Sequence, residues 1–217
     1  MIYEAQRIQS IELCQSPKPL IYMSKYILVI LSILFIESTA VSQKLAYDVI
    51  WKDDVIGSFE ITKESSSNQE VYDIISDVMV KFFGEKHIYT THHTVYEKNE
   101  MTSSVVDYKR NDKPKGYAKI KRLNAGYDIE VDDDVVVFAS TYPVVYSTSK
   151  LYFSPPENRR TVFSERRGVD LSVRKDGPNQ YTVTKPDGRE TVYYYKAGVA
   201  NRIEVGGRFA SFTMKLK

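Results

Sequence analysis

A chain of 217 residues with a formal net charge of +2 can bury one sizeable core, and it has no basic stripe of the kind that nucleic acid binding asks for. The single cysteine, Cys14, lies near the N-terminus. Everything after residue 42 is therefore without a thiol for a disulfide, a nucleophile or a zinc-thiolate site.

Residues 1–42 read as an N-terminal extension plus a secretory signal, the signal proper covering 23–42. Met23-Ser24-Lys25 is followed by the apolar run Tyr26 to Ile36, then by small residues at Ala40 and Ser42. A positive start, an apolar stretch and a small-residue cleavage site are the three parts of such a signal. The run is shorter than the ~20 residues a helix needs to cross a bilayer. Cleavage is expected between Ser42 and Gln43. Ahead of the signal stand Glu4, Glu12, Pro17 and Pro19, an unusual prelude that points to Met23 as the true start. The expected location is the periplasm or cell envelope of a Gram-negative-type bacterium, or the medium outside it.

From residue 43 the dominant period is two. Leu45, Tyr47, Val49 and Trp51 share one face of a strand, and Lys52-Asp53-Asp54 turns the chain into a second strand over Val55–Lys63. A serine-rich loop leads to a long β-branched and aromatic segment, Val71–Phe83. Further strands are expected near Ile88–Tyr96, Thr102–Lys109, Tyr117–Arg122, Tyr127–Val131 and Val135–Ala139. Pro143, Pro155 and Pro156 interrupt the next stretch, which reads as a loop with a short strand or helical turn. Strands resume at Thr161–Glu165, Val169–Arg174, Gln180–Thr184, Glu190–Tyr195, Val199–Val205 and Phe209–Leu216. Lys185-Pro186-Asp187-Gly188 is a turn, because proline presets one angle and glycine accepts positive φ. Strands this close together must be antiparallel. The expected fold is all-β: one domain over 43–217, an antiparallel meander of about 12 strands forming a curved sheet, half-barrel or barrel-like sandwich.

Tyr47-Asp48-Val49-Ile50-Trp51 with Ile56-Gly57-Ser58, Lys150-Leu151-Tyr152-Phe153, Val162-Phe163-Ser164-Glu165, and Tyr181 with Pro186-Asp187-Gly188 resemble an uncharacterised family of exported bacterial β-sheet proteins. That family is known only as a domain of unknown function. The resemblance implies an envelope location and a curved sheet. It supplies no activity and no catalytic residues.

His92 and His93 point to opposite faces of a strand, so they cannot close on one ion. His87 shares a face with His93 but lies roughly 20 Å along the strand. No metal, cofactor or catalytic residue is expected. Ser164-Glu165-Arg166-Arg167-Gly168 lacks the flanking glycines of a nucleophile elbow. Asp132-Asp133-Asp134 lacks the alternation and the distal glutamate of a calcium loop. Charged positions on both faces of Tyr117–Arg122 and a final Met-Lys-Leu-Lys argue against an outer-membrane barrel.

Fourteen of the seventeen tyrosines follow residue 42. Tyrosine suits a half-buried sheet and equally the wall of a cleft, offering a flat ring and a hydroxyl. The candidate binding residues are Tyr47, Trp51, Tyr89 and Tyr152, with Phe59 beside them and Arg166 and Arg167 to orient an acidic head. The expected function is non-catalytic binding of a lipid-like, amphipathic or apolar molecule in the curved sheet. An interaction or structural module of the envelope is the alternative, and a hydrolase built on His93 is a third reading.

Overall fold

Alternation of apolar and polar side chains produces strands along almost the whole of the chain that the computed structural model describes, namely residues 40–81, 84–132, 134–138, 143–207 and 211–217. The signal segment through residue 39 lies outside the described residues. The first eight strands are β1 (Val41–Trp51), β2 (Asp54–Ser65), β3 (Gln69–Lys81), β4 (Glu85–Glu97), β5 (Glu100–Arg110), β6 (Lys113–Arg122), β7 (Tyr127–Val131) and β8 (Asp134–Phe138). A short 3-10 helix, Thr148–Tyr152, precedes β9 (Thr161–Ser164), β10 (Val169–Gly177), β11 (Gln180–Thr184), β12 (Glu190–Lys196), β13 (Val199–Val205) and β14 (Phe212–Leu216). Fourteen strands form, close to the twelve or so expected, and they fall on the segments that the alternation marks. Even segments of four or five residues such as β7, β8 and β9 pair with a neighbour.

All fourteen form one curved, unclosed antiparallel sheet in the order β8-β7-β6-β5-β4-β3-β2-β1-β14-β13-β12-β11-β10-β9. Sequence neighbours pair throughout except β8 and β9, and one pairing joins strands distant in the chain: β1 pairs with β14, Tyr47 opposite Leu216 and Val49 opposite Met214. The two free edges, β8 and β9, are consecutive in the chain.

Several tight turns place two successive residues at positive φ, as Lys52-Asp53, Lys98-Asn99, Asn111-Asp112 and Ala197-Gly198 do. Such pairs match the right-handed twist of the flanking strands, which is why two-residue hairpins favour them. At Gly57 an added Cβ would lie 2.1 Å from the Asp77 carbonyl oxygen, so glycine lets β2 and β3 approach closely.

The concave face carries the core. Tyr47, Val49, Ile61, Tyr72, Ile74, Tyr96, Val106, Ile120 and Ile129 from the first half of the sheet, and Leu171, Tyr181, Val183, Tyr193, Tyr195 and Ile203 from the second, are buried. The segment between β8 and β9 runs into this concavity. Leu151 is fully buried; the Tyr152 ring stacks on Phe59 at 4.9 Å and meets Tyr47 edge-on at 6.1 Å and Tyr193 at 6.3 Å. Phe153 packs against Tyr72. Tyrosine hydroxyls brace this packing: Tyr195 donates to the Leu151 carbonyl, tying the filling to the wall, and Tyr47 to the Ala200 carbonyl, tying β1 to β13, each at 2.7 Å.

Candidate functional site

The concave face divides into a filled half and an accessible half. One row of cross-strand partners runs Leu216–Tyr47–Phe59–Ser76–Thr90–Tyr108–Gly116. Tyr47 at one end is buried. Ser76, Thr90, Tyr108 and Gly116 keep partial accessibility although they face inward, and so do Val78 and Ile88 in the next row. These residues line the accessible part of the concave face, the trough. From Phe59 to Gly116 it crosses five strands, roughly 19 Å at the usual strand spacing.

His92 stands one row above Thr90, between Ile74 on β3 and Val106 on β5. Its Nδ1 is buried and has no hydrogen-bond partner. Burial holds the imidazole below its ordinary pKa; nearby Glu165 pulls the other way and Arg166 adds to the lowering. The other two histidines differ. His87 meets Asp77 at 2.9 Å and is raised mainly by that hydrogen bond, while His93 meets Asp73 at 2.7 Å.

Arg166 closes the far end of the trough. Its Nη2 donates to both carboxylate oxygens of Asp132, at 3.2 and 3.0 Å, and Nη1 to the Tyr117 carbonyl at 3.4 Å. Burial alone would raise Asp132, but the Arg166 hydrogen bond and the Tyr117 N–H outweigh it and hold the carboxyl low. This ion pair spans the open seam of the sheet, joining the β9–β10 turn to the β7–β8 turn. Beside it Gly168, at φ +65°, packs where a Cβ would come within 2.4 Å of Ile129 Cγ2.

Glu165 is fully buried. It accepts from the Ser147 hydroxyl at 2.5 Å, from the N–H groups of Ser149 at 3.0 Å and Thr148 at 3.1 Å, and from the Thr148 hydroxyl. Tyr96 donates in turn to Ser147 at 2.5 Å. A serine, a carboxylate and a tyrosine in one chain of hydrogen bonds could suggest catalysis. Here the carboxylate's acceptor positions are taken by the start of the 3-10 helix, which fixes the inserted segment in place. Lys150, also buried, anchors its other side on Glu70 at 3.0 Å and over the Tyr96 ring at 3.8 Å.

The six residues proposed from sequence fall into two groups. Tyr47 and Tyr152 meet in the aromatic core, and Arg166 ends the same row. Trp51, Tyr89 and Arg167 stand elsewhere. Trp51 lies at the β1–β2 hairpin end with Lys52 Nζ 4.6 Å from its ring. Tyr89, opposite Asp77 and Lys109, lies one residue out of phase with Thr90 and faces away from the trough. Arg167 reaches Asp187 at 3.4 Å. Sequence reasoning weighed His92 only as a metal ligand and passed over Ser76, Thr90 and Tyr108. Their common signal is the even-numbered phase they share with buried Thr94 and Tyr96, or across the ladder with Ile74 and Val106.

On the outer face, β5–β7 form a groove of about 860 Å³ lined by Val105, Lys119, Lys121, Leu123, Asp128 and Glu130 among others. Among the described residues no three His, Cys, Asp or Glu side chains are grouped to hold a metal ion, and no helix is long and apolar enough to cross a membrane.

A family model described as a domain of unknown function, DUF6134, matches residues 47–217, and the chain belongs to that family. No curated protein matches the sequence. Among solved structures, the crystal structure of a β-barrel-like protein of domain of unknown function DUF1849 from Brucella abortus is similar at 10% identity with a TM-score of 0.47, over 83% of this chain and 98% of that one.

Proposed function

We propose that this is an exported, non-catalytic binding protein of the cell envelope whose trough holds an amphipathic or apolar small molecule. The observation that carries this reading is the set of inward-facing yet partly accessible residues on β3–β6. It puts apolar Val78, Ile88 and Tyr108 beside a few polar groups, Ser76, Thr90 and His92, in the combination typical of ligand sites. Tyr152, stacked on Phe59, ends the filled part of the face next to these residues.

Native mass spectrometry of protein purified from its own host should show a lipid-sized adduct, and Ser76→Trp, which fills the trough, should remove it. The melting temperature is the second readout. With no adduct and no shift in melting temperature on titrating alkyl compounds, the outer groove takes over. Its floor of Val105 between lysines and carboxylates, with Ile75 and Met79 also exposed on the convex face, favours a protein-interaction module as the second reading.

Export is part of the proposal. Cleavage between Ser42 and Gln43 would shorten β1 by its first two residues, which pair only with Ser65 and Glu64 at the end of β2. The strand would lose little. N-terminal sequencing of the mature protein should begin at Gln43; a membrane-bound product starting before Met23 would overturn the assignment.

A further inference from the structure

We propose that the ligand of the trough carries a neutral hydrogen-bonding head, a hydroxyl, amide or ester carbonyl, and that this head engages Nδ1 of His92. The inference rests on the binding function proposed above and adds the chemistry of the head group. A buried ring nitrogen without a partner is destabilising, and natural structures satisfy nearly all such atoms. His92 is singled out among the three histidines, since His87 and His93 each meet a carboxylate. It faces the concavity from the middle of β4, directly above the accessible row.

The charges around it decide the class of head. Glu165 and Arg166 both act on His92. Arg166 is already committed to Asp132 through both carboxylate oxygens, so it brings little uncompensated positive charge. A carboxylate head would enter a poorly solvated space facing buried Glu165, with no cation left to balance it. An ammonium head would fare no better: Glu165 spends its acceptor positions on Ser147, Thr148 and Ser149, and Arg166 repels it. A neutral head escapes both penalties. An uncharged imidazole nitrogen can accept from a hydroxyl or amide, or in the other tautomer donate to a carbonyl.

Four probes with one alkyl chain test this on the full protein at neutral pH: decanol, decanamide, decanoate and decylammonium, with affinities from native mass spectrometry titration. Decanol and decanamide should bind at least about tenfold more tightly than the two ions. His92→Phe should weaken decanol about tenfold and bring it level with the ions, and His92→Leu should do the same if the larger ring disturbs folding. Decanoate binding as tightly as decanol, or decanol affinity unchanged in both variants, would overturn the head-group assignment and leave trough binding intact. If none of the four binds the unaltered protein, trough binding itself falls, and the head-group assignment with it.

Discussion

The Glu165 carboxyl group is fully buried, and four hydrogen bonds from three consecutive residues hold it there. Hydrogen bonds to a buried charge are worth about 1.5–3 kcal/mol each, and donors left unpaired are destabilising in their own right. Glu165→Ala should therefore lower stability by at least about 3 kcal/mol, seen as a lower urea midpoint. Because the change releases the 3-10 helix from the concavity, an increase in dye binding to exposed apolar surface should accompany it. His92 gives the second residue-scale prediction. Burial lowers its pKa, so the unfolded chain binds the proton more readily. The stability this represents is complete above about pH 6.5 and is lost as pH falls through that value. His87 is shifted the other way, and its contribution is present below about pH 6.5 and lost as pH rises through its folded value. Carboxylates held low in the fold begin to cost stability only below about pH 5, so the interval above it isolates the histidines. As pH is taken from about 7 to about 5.5, the urea midpoint should fall less, or rise more, in His92→Phe than in the parent protein.

At the scale of elements, the turns are built for twist at some cost in residue choice. Ala197 holds φ at +51° ahead of Gly198 at +81°. A side chain other than Gly, Asn or Asp in this region is strained by about 1–2 kcal/mol. Ala197→Asn creates the Asn-Gly pair that two-residue hairpins favour and should stabilise the protein by about 1 kcal/mol, raising the thermal midpoint. Period-two patterning made the strands legible, and Lys52-Asp53-Asp54 or Lys185-Pro186-Asp187-Gly188 marked where they reverse. The segment 143–156 was much harder to read. Its prolines announced irregular backbone, and nothing local tells an exposed loop from one folded into the concavity, because the difference lies in distant partners such as Phe59, Tyr193 and Tyr195.

For the whole molecule, the decisive feature is an unclosed sheet whose edges β8 and β9 are bridged rather than hydrogen-bonded to each other. Val144 accepts from the Met101 N–H, and Tyr146 from the Phe163 N–H, so the inserted segment touches both halves. Arg166–Asp132 and Gly168–Ile129 add to the seam. The ion pair is partly exposed, and such pairs contribute about 0.2–1 kcal/mol; a double-mutant cycle with Arg166→Ala and Asp132→Ala should find coupling within that range. Gly168→Ala should cost more, about 1–3 kcal/mol, because the new methyl meets Ile129 and the backbone is held at positive φ. Coupling of the ion pair well above that of the packing contact would mean that electrostatics, not packing, holds the seam.

Residues 43–217 alone determined an all-β, antiparallel domain, since alternation and turn chemistry are local properties carried by neighbouring residues. They also made Tyr47, Tyr152 and Arg166 candidates by residue type. Only the tertiary structure decided that β1 pairs with β14, that Arg166 answers to Asp132 and Tyr152 to Phe59, and that Tyr89 faces outward while His92 faces inward. A strand pattern has two faces of equal period, and which one is concave depends on curvature accumulated over fourteen strands. Residue type made arginine and tyrosine conspicuous, whereas the unpartnered nitrogen of His92 came into view only once the sheet had curved around it.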